Sequence, residues 1–192
     1  MMRIFLIITC FFIIVFKVDH PLNANEVWLL DKDLSTIEFE VPVFFAKNVK
    51  GGFEEIEGFV QLNNQEQVSK VFILVKVDSI NINYEKHHDL LLSSTFLNQK
   101  EFKNIFVDTI QVPISYNKEK INEVKIRISL NGIYEYIPYN FEIIELAEEL
   151  VQIKGELELS RSFFKIGMGK WYSTIFLKEN ITIKTNLFLN KR

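Results

Sequence analysis

Hydrophobic and polar residues alternate along most of this chain with the two-residue period of strands that bury one face. The pattern is cleanest near the C-terminus, where Ile181, Ile183, Thr185, Leu187 and Leu189 share one parity. Val124, Ile126, Ile128 and Leu130 do the same against Lys125, Arg127 and Ser129. Ile37, Phe39, Val41, Val43 and Phe45 oppose Glu38, Glu40 and Pro42, so residues 36–45 predict a strand that Pro42 makes an edge or a bend. Further strands are predicted at 59–62, 71–77, 105–112 and 151–159, and through Phe141 and Ile143 in a segment that Pro138 limits. Gly51-Gly52 supplies the freedom of a tight turn, Gly58 a bend or bulge, and Asn131-Gly132 a turn. Polar or charged connections are expected at 63–69, 117–122 and 145–149. The count comes to about eight antiparallel strands, which form a sandwich or a closed barrel. A barrel of about that size has an interior that side chains just fill, or that holds one small ligand.

The period changes in one stretch, residues 71–102. A β-branched run ends in the polar break Asp78-Ser79-Ile80-Asn81, and beyond Lys86 the residues Leu90, Leu91, Phe96 and Leu97 fall at helical or mixed spacing. A lone short helix cannot bury an apolar face by itself, so it is expected to serve as a lid on the sheet.

The first residues carry a different signal. Arg3 precedes the apolar run 4–16, and Ala24 offers a small residue for cleavage, which predicts an export signal over residues 1–24 and a single mature domain over 25–192. A run of thirteen residues falls short of the roughly 20 that span a bilayer. Cys10, the only cysteine, lies inside this segment and lacks the small preceding residues of a lipoprotein site, so the mature domain has no disulfide. Loss of Arg3, Lys17 and Asp19 moves the net charge from -3 to -4, against the basic stripe expected of a nucleic-acid binder.

Chemistry is sparse. His87, His88 and Asp89 are adjacent, and successive residues on a helix point about 100° apart, so the trio does not converge on a metal. No serine sits in a nucleophile elbow, and Gly167-Met168-Gly169 follows no strand that feeds a helix, so it reads as a turn. No catalytic or metal-binding residues are therefore assigned. The chain has 18 phenylalanines against 6 tyrosines, which makes for a large interior with few polar handles. Trp171 and Tyr172, beside the glycine turn, fit either a cavity mouth or plain core.

Four patches occur in a familiar order: Trp28-x-x-Asp31-x-x-x-Ser35-x-Ile37-x-Phe39; Gly51-x-Phe53-x-x-Ile56-x-Gly58; Asp78-Ser79-Ile80-Asn81 with Leu91-x-Ser93-x-x-Phe96-Leu97-Asn98; and Leu130-Asn131-Gly132 with Arg161-x-x-Phe164-x-Ile166-Gly167. In this the chain resembles the YceI-like family of exported polyisoprenoid-binding proteins. It departs from the pattern at Leu90 and Leu92, at Lys103, and at Lys165, where the family has glycine. The resemblance implies an all-β fold, an extended eight-stranded antiparallel lipocalin-like barrel with one short helical lid segment. It implies a periplasmic binding or carrier protein, not an enzyme, with no cofactor beyond a bound isoprenoid lipid or quinone. Transient contact with a membrane surface would accompany loading. Alternation then nominates Ile37, Phe39, Val41, Val75, Ile126, Ile128, Phe141, Leu157, Ile181 and Ile183 for the lumen, and Leu91, Phe96, Leu97 and Trp171 for the lid and mouth. The alternative is a filled barrel that acts as a periplasmic interaction or stress-related module. The Pro42 edge leaves monomer and dimer equally open.

Overall fold

A computed structural model describes residues 25–43, 47–84, 87–173 and 177–192. The signal-like segment 1–24 and Phe45 lie outside the described residues. The elements in order are β1 (Glu26–Leu30), β2 (Thr36–Val41), β3 (Val49–Phe53), β4 (Ile56–Leu62), β5 (Val68–Lys76), β6 (Ile80–Ile82), α1 (His88–Leu92), β7 (Asn104–Asp108), β8 (Asn122–Leu130), β9 (Ile133–Ala147), β10 (Leu150–Ser160) and β11 (Asn180–Lys191).

Eight of the segments close an antiparallel barrel in the order β1-β4-β5-β7-β8-β9-β10-β11, and β11 returns to β1 through Leu30↔Leu189 and Trp28↔Lys191. The other end of β11 pairs with β2, which carries β3 and then β6. The six segments β1 to β6 are three long strands, each broken once, at 31–35, 54–55 and 77–79. The breaks satisfy their own polar groups. Asp31 Oδ1 accepts from the N–H groups of Asp33 and Leu34, at 3.1 and 3.2 Å. Ser79 Oγ donates to the Lys76 carbonyl at 2.7 Å. The second and third breaks also bond each other, Glu54 N–H to Ser79 O and Lys76 N–H to Glu55 O. The strands can thus bend around the barrel without stranding backbone groups.

Alternation orients the walls as expected. Ile126, Ile128 and Leu130 of β8, Leu157 and Leu159 of β10, and Ile181 of β11 are buried in one core cluster with Phe96 and Leu97 from beyond α1. Asn131 and Gly132 both take positive φ, 52° and 71°, and form the two-residue hairpin between β8 and β9. Among the described residues, no helix is long and apolar enough to cross a membrane.

Several local expectations are corrected. β1 was not anticipated. Gly51 and Gly52 lie inside β3, and Gly58 inside β4. A Cβ at Gly51 would overlap the Asn81 carbonyl and the Phe39 ring, so this glycine provides close approach between strands rather than a turn. Ile80 and Asn81 belong to β6, not to the polar break, because Phe53 and Gly52 supply strand partners there. β7 ends at Asp108 rather than at 112. β9 runs straight through Pro138 and Glu145. Pairing with β10 stops at Asn140, so Pro138 lies where β9 has β8 as its strand partner and no β10 ladder to interrupt.

Lys165 has φ 56°, in the left-handed region where an L side chain costs roughly 1–2 kcal/mol. Lys165→Gly is therefore expected to stabilise the fold by about 1 kcal/mol, less the entropy glycine adds to the unfolded chain. Thermal denaturation should show a rise of roughly 2–4 °C. A fall would mean that the lysine side chain contributes contacts outweighing its backbone strain.

Candidate functional site

Closing an eight-stranded ring leaves two neighbouring hollows that share part of their walls. The first, about 490 Å³, lies beneath the lid. Ile37, Phe39 and Val41 line it from β2, Val75 from β5, Ile126 and Ile128 from β8, Leu157 from β10, and Ile181 and Ile183 from β11. Leu91, Phe96, Leu97 and Trp171 line it from the lid side. Phe141, the remaining nominated lumen residue, lines the second hollow, about 530 Å³, at the other end. Sequence parity thus brought nine wall residues to one cavity and placed the tenth beyond it.

The lid is held by short-range polar contacts rather than by helix length. Ser93 Oγ donates to the Leu90 carbonyl at 2.6 Å, and the N–H groups of Leu97 and Gln99 bond back to Leu91 and Leu92, each at 3.0 Å. Two further segments press on it. The Gly167 N–H donates to Thr95 O at 2.8 Å, and Asn131 Nδ2 donates to the carbonyls of both Phe96 and Phe164, at 2.6 and 3.0 Å. Phe164 is completely buried between them.

Arg161 organises this end. Its side chain is 1% exposed, and its five N–H donors reach five backbone carbonyls: Nε to Lys178, Nη1 to Ile166 and Gly167, Nη2 to Tyr172 and Leu177, all at 2.8–3.3 Å. Among the described residues no carboxylate pairs with it directly. Glu179, next to Lys178, instead accepts from Ser160 Oγ at 2.7 Å and from Ser162 Oγ and N–H at 2.6 and 3.1 Å. Burial pushes the Glu179 carboxyl up, but these three bonds and the positive field of Arg161 outweigh it and hold the group below the usual carboxylate range.

The polar groups on the wall of the first cavity include Lys47, His87, Tyr139, Arg161 and Thr185, and no Asp or Glu lines it among the described residues. Trp171 Nε1 is buried at the lid without a hydrogen-bond partner among the described residues. Tyr172 is exposed, so of the neighbouring pair only Trp171 faces the cavity. The second hollow has charges of both signs at its rim: Lys191 pairs with Glu26 at 2.7 Å and Lys118 with Glu145, and Glu66 and Glu148 add further carboxylates. Thr109 Oγ1 is its unpartnered polar atom. Burial pushes the Tyr139 phenol up to about 12, against a lowering by its bond to Thr185, so it stays neutral between the two hollows.

His88 Nδ1 lies 3.4 Å from Asp89 Oδ1, and His87, itself exposed, borders the cavity at its mouth. Among the described residues, no group of three or more His, Cys, Asp or Glu is placed to hold a metal ion. The arrangement offers enclosed apolar surface with a few cationic and donor groups at one end. Sequence reasoning did not single out Arg161 or Tyr139 as structural determinants. Parity carried a signal for both: Arg161 follows Leu157 and Leu159 on the inward side of β10, and Tyr139 stands between Ile137 and Phe141 on that of β9.

Residues 28–189 match the family model of the YceI-like domain. No curated protein matches the chain. Among solved structures, the fold is similar to that of BcnA from Burkholderia cenocepacia, with TM-score 0.73 and 15% identity, over 83% of this chain and 98% of that one. It is also similar to a polyisoprenoid binding domain from Saccharophagus degradans implicated in plant cell wall breakdown, with TM-score 0.68 and 11% identity over 86% and 98% of the two chains. A YCEI protein from Campylobacter jejuni gives 0.65 and 18% over 79% and 90%.

Two outcomes are expected. Arg161→Met leaves five carbonyls without a donor and should cost on the order of 3–5 kcal/mol, seen as a lower urea midpoint at unchanged slope. Because the folded-state pKa of Glu179 is lowered, its contribution is fully present above the unfolded value, roughly 4.3, and is lost as pH falls through the folded one. Melting temperatures followed from about pH 5 downward should drop less steeply in Glu179→Gln than in the parent chain.

Proposed function

The chain belongs to the YceI-like domain family, and on that premise we propose that it is a carrier for a long isoprenoid lipid, a polyprenyl chain or an isoprenoid quinone, held in the lid-side cavity. The observation that carries the reading is the wall of that cavity. Its inward positions from nine strands and the lid are almost all aliphatic or aromatic, and no carboxylate lines it among the described residues. At roughly 25 cal/mol per Å² of apolar surface, each part of a prenyl tail buried there regains about what that part loses on leaving the membrane. Similarity of fold to the polyisoprenoid binding domain from Saccharophagus degradans supports the same ligand class.

The head group sits at the lid. Trp171 Nε1 has no partner there among the described residues, and Lys47 and His87 border the same cavity. These donors suit an oxygen acceptor such as a quinone carbonyl or a prenyl hydroxyl or phosphate. Residues 1–24 act as a removable export signal, so the carrier works in the periplasm and meets the membrane surface only to load and unload. The mechanism is physical, without bond-making. A barrel packed solid by its own side chains is disfavoured by hollows of this size.

The direct test is mass spectrometry of an organic-solvent extract from protein exported to a bacterial periplasm and purified without detergent. A stoichiometric isoprenoid is expected; an empty extract that stays empty after incubation with quinones and polyprenols sinks the reading. Ile128→Trp places bulk in the cavity, at a cost of roughly 1–3 kcal/mol, and should cut loading severalfold while the β-type circular dichroism is retained.

A further inference from the structure

The two hollows share Val71, Ile73, Ile126, Tyr139 and Leu187 on their walls, which places these five residues at the waist between them. Tyr139 is the largest of these and the one whose position could close the passage. Its phenol oxygen lies 2.6 Å from Thr185 Oγ1. Tyr139 stands on β9 and Thr185 on β11, with β10 between them. Adjacent strands are about 4.8 Å apart, so the side chain must bridge nearly 10 Å of wall. It can do so only by lying down along the sheet rather than projecting into the lumen.

The sequence provides the bed for it. The β10 residue beneath the ring is Gly155, which pairs with Thr185, and a Cβ there would overlap the phenol oxygen and the ring carbons of Tyr139. Gly155 has no positive φ, so space and not backbone freedom explains the glycine. Phe141 stacks on the same ring, with centroids 5.5 Å apart and planes 9° from parallel. Thr185 Oγ1 also faces the Gly155 carbonyl at 3.4 Å, so the latch keeps a partner on each side.

We propose that Gly155 and Thr185 pin Tyr139 flat against the wall to hold the waist open, which makes Tyr139 the residue that sets how long a prenyl chain the barrel accepts. A tail entering beneath the lid then continues into the second hollow. The inference rests on the isoprenoid-binding reading. It adds that affinity keeps rising with chain length past what the first cavity holds alone.

Full mature protein stripped of lipid would be titrated with farnesol, geranylgeraniol and solanesol. For the parent chain, affinity should increase along that series. In Gly155→Ala the new methyl lifts the ring into the waist, and solanesol binding should weaken by about tenfold or more while farnesol binding stays within about twofold. Ile153→Trp fills the second hollow away from the waist and should give the same split, which keeps the test alive if Gly155→Ala does not fold. If the parent chain binds none of the alcohols, the isoprenoid reading fails and takes this inference with it. If it binds farnesol and gains nothing on lengthening, or if Gly155→Ala and Ile153→Trp leave the solanesol preference intact, the carrier reading stands and the latch is overturned.

Discussion

A buried guanidinium without a counter-carboxylate among the described residues is the constraint on which the lid end depends. Moving such a charge from water into a protein interior is prohibitive unless its donors are satisfied. Arg161 meets that demand with carbonyls from Ile166, Gly167, Tyr172, Leu177 and Lys178, so the chain from β10 to β11 must fold back on itself until all five converge. Arginine suits the position because its planar fork is weakly hydrated and presents five donors in fixed directions. Once the loop has that shape, the N–H groups of Gly167 and Met168 both reach Thr95, and the lid is tied to the barrel through them. The ceiling of the first cavity is therefore set by one side chain that makes no contribution to its apolar wall.

Glycines form the second recurrent device. Gly51 lies against Phe39, Gly132 against Phe102 and Gly155 against Tyr139, and in each pair a Cβ would overlap the ring. Of the three, only Gly132 has positive φ. The others clear wall space so that a large ring can lie along the sheet, which keeps aromatic mass in a small barrel while leaving its axis hollow. A barrel with the same rings standing upright would be filled.

This device also explains where the sequence was legible and where it was not. β8, β10 and β11 were visible because each has one face inside along its whole length, so their alternation is uninterrupted. Gly51-Gly52 was taken for a turn because glycine carries the same letter whether it supplies positive φ or room for Phe39. The strand break at 54–55 was hidden because its backbone partners lie across the sheet at the break over 77–79, which the polar run from Asp78 does announce. Pro138 misled because its permission to sit in a strand comes from where β10 stops, which is a tertiary fact. The wall of the cavity was accessible from parity alone, whereas Arg161 and Tyr139 appeared as polar exceptions to that parity and their meaning lay in partners 17 and 46 residues away.

The two hollows differ electrostatically, and under the proposed carrier reading that difference would orient the amphiphile. Tyr139 titrates near 12 chiefly because the waist is desolvated, and the same dryness penalises any polar head group lodged there. The head must therefore occupy one of the two mouths. At the far mouth Lys191 and Lys118 are already engaged by Glu26 and Glu145, and Trp28 Nε1 is engaged by Glu26 as well. Among the described residues, its buried unpartnered polar atom is Thr109 Oγ1. The lid end offers cationic Lys47, His87 and the unpartnered indole N–H of Trp171, with no carboxylate on the wall among the described residues to compete for them. In that reading an oxygen-bearing head would gain hydrogen bonds there without displacing an existing ion pair, while the tail would run past Tyr139 toward the far mouth. The orientation follows from which donors the fold leaves over, more than from the shape of the cavity.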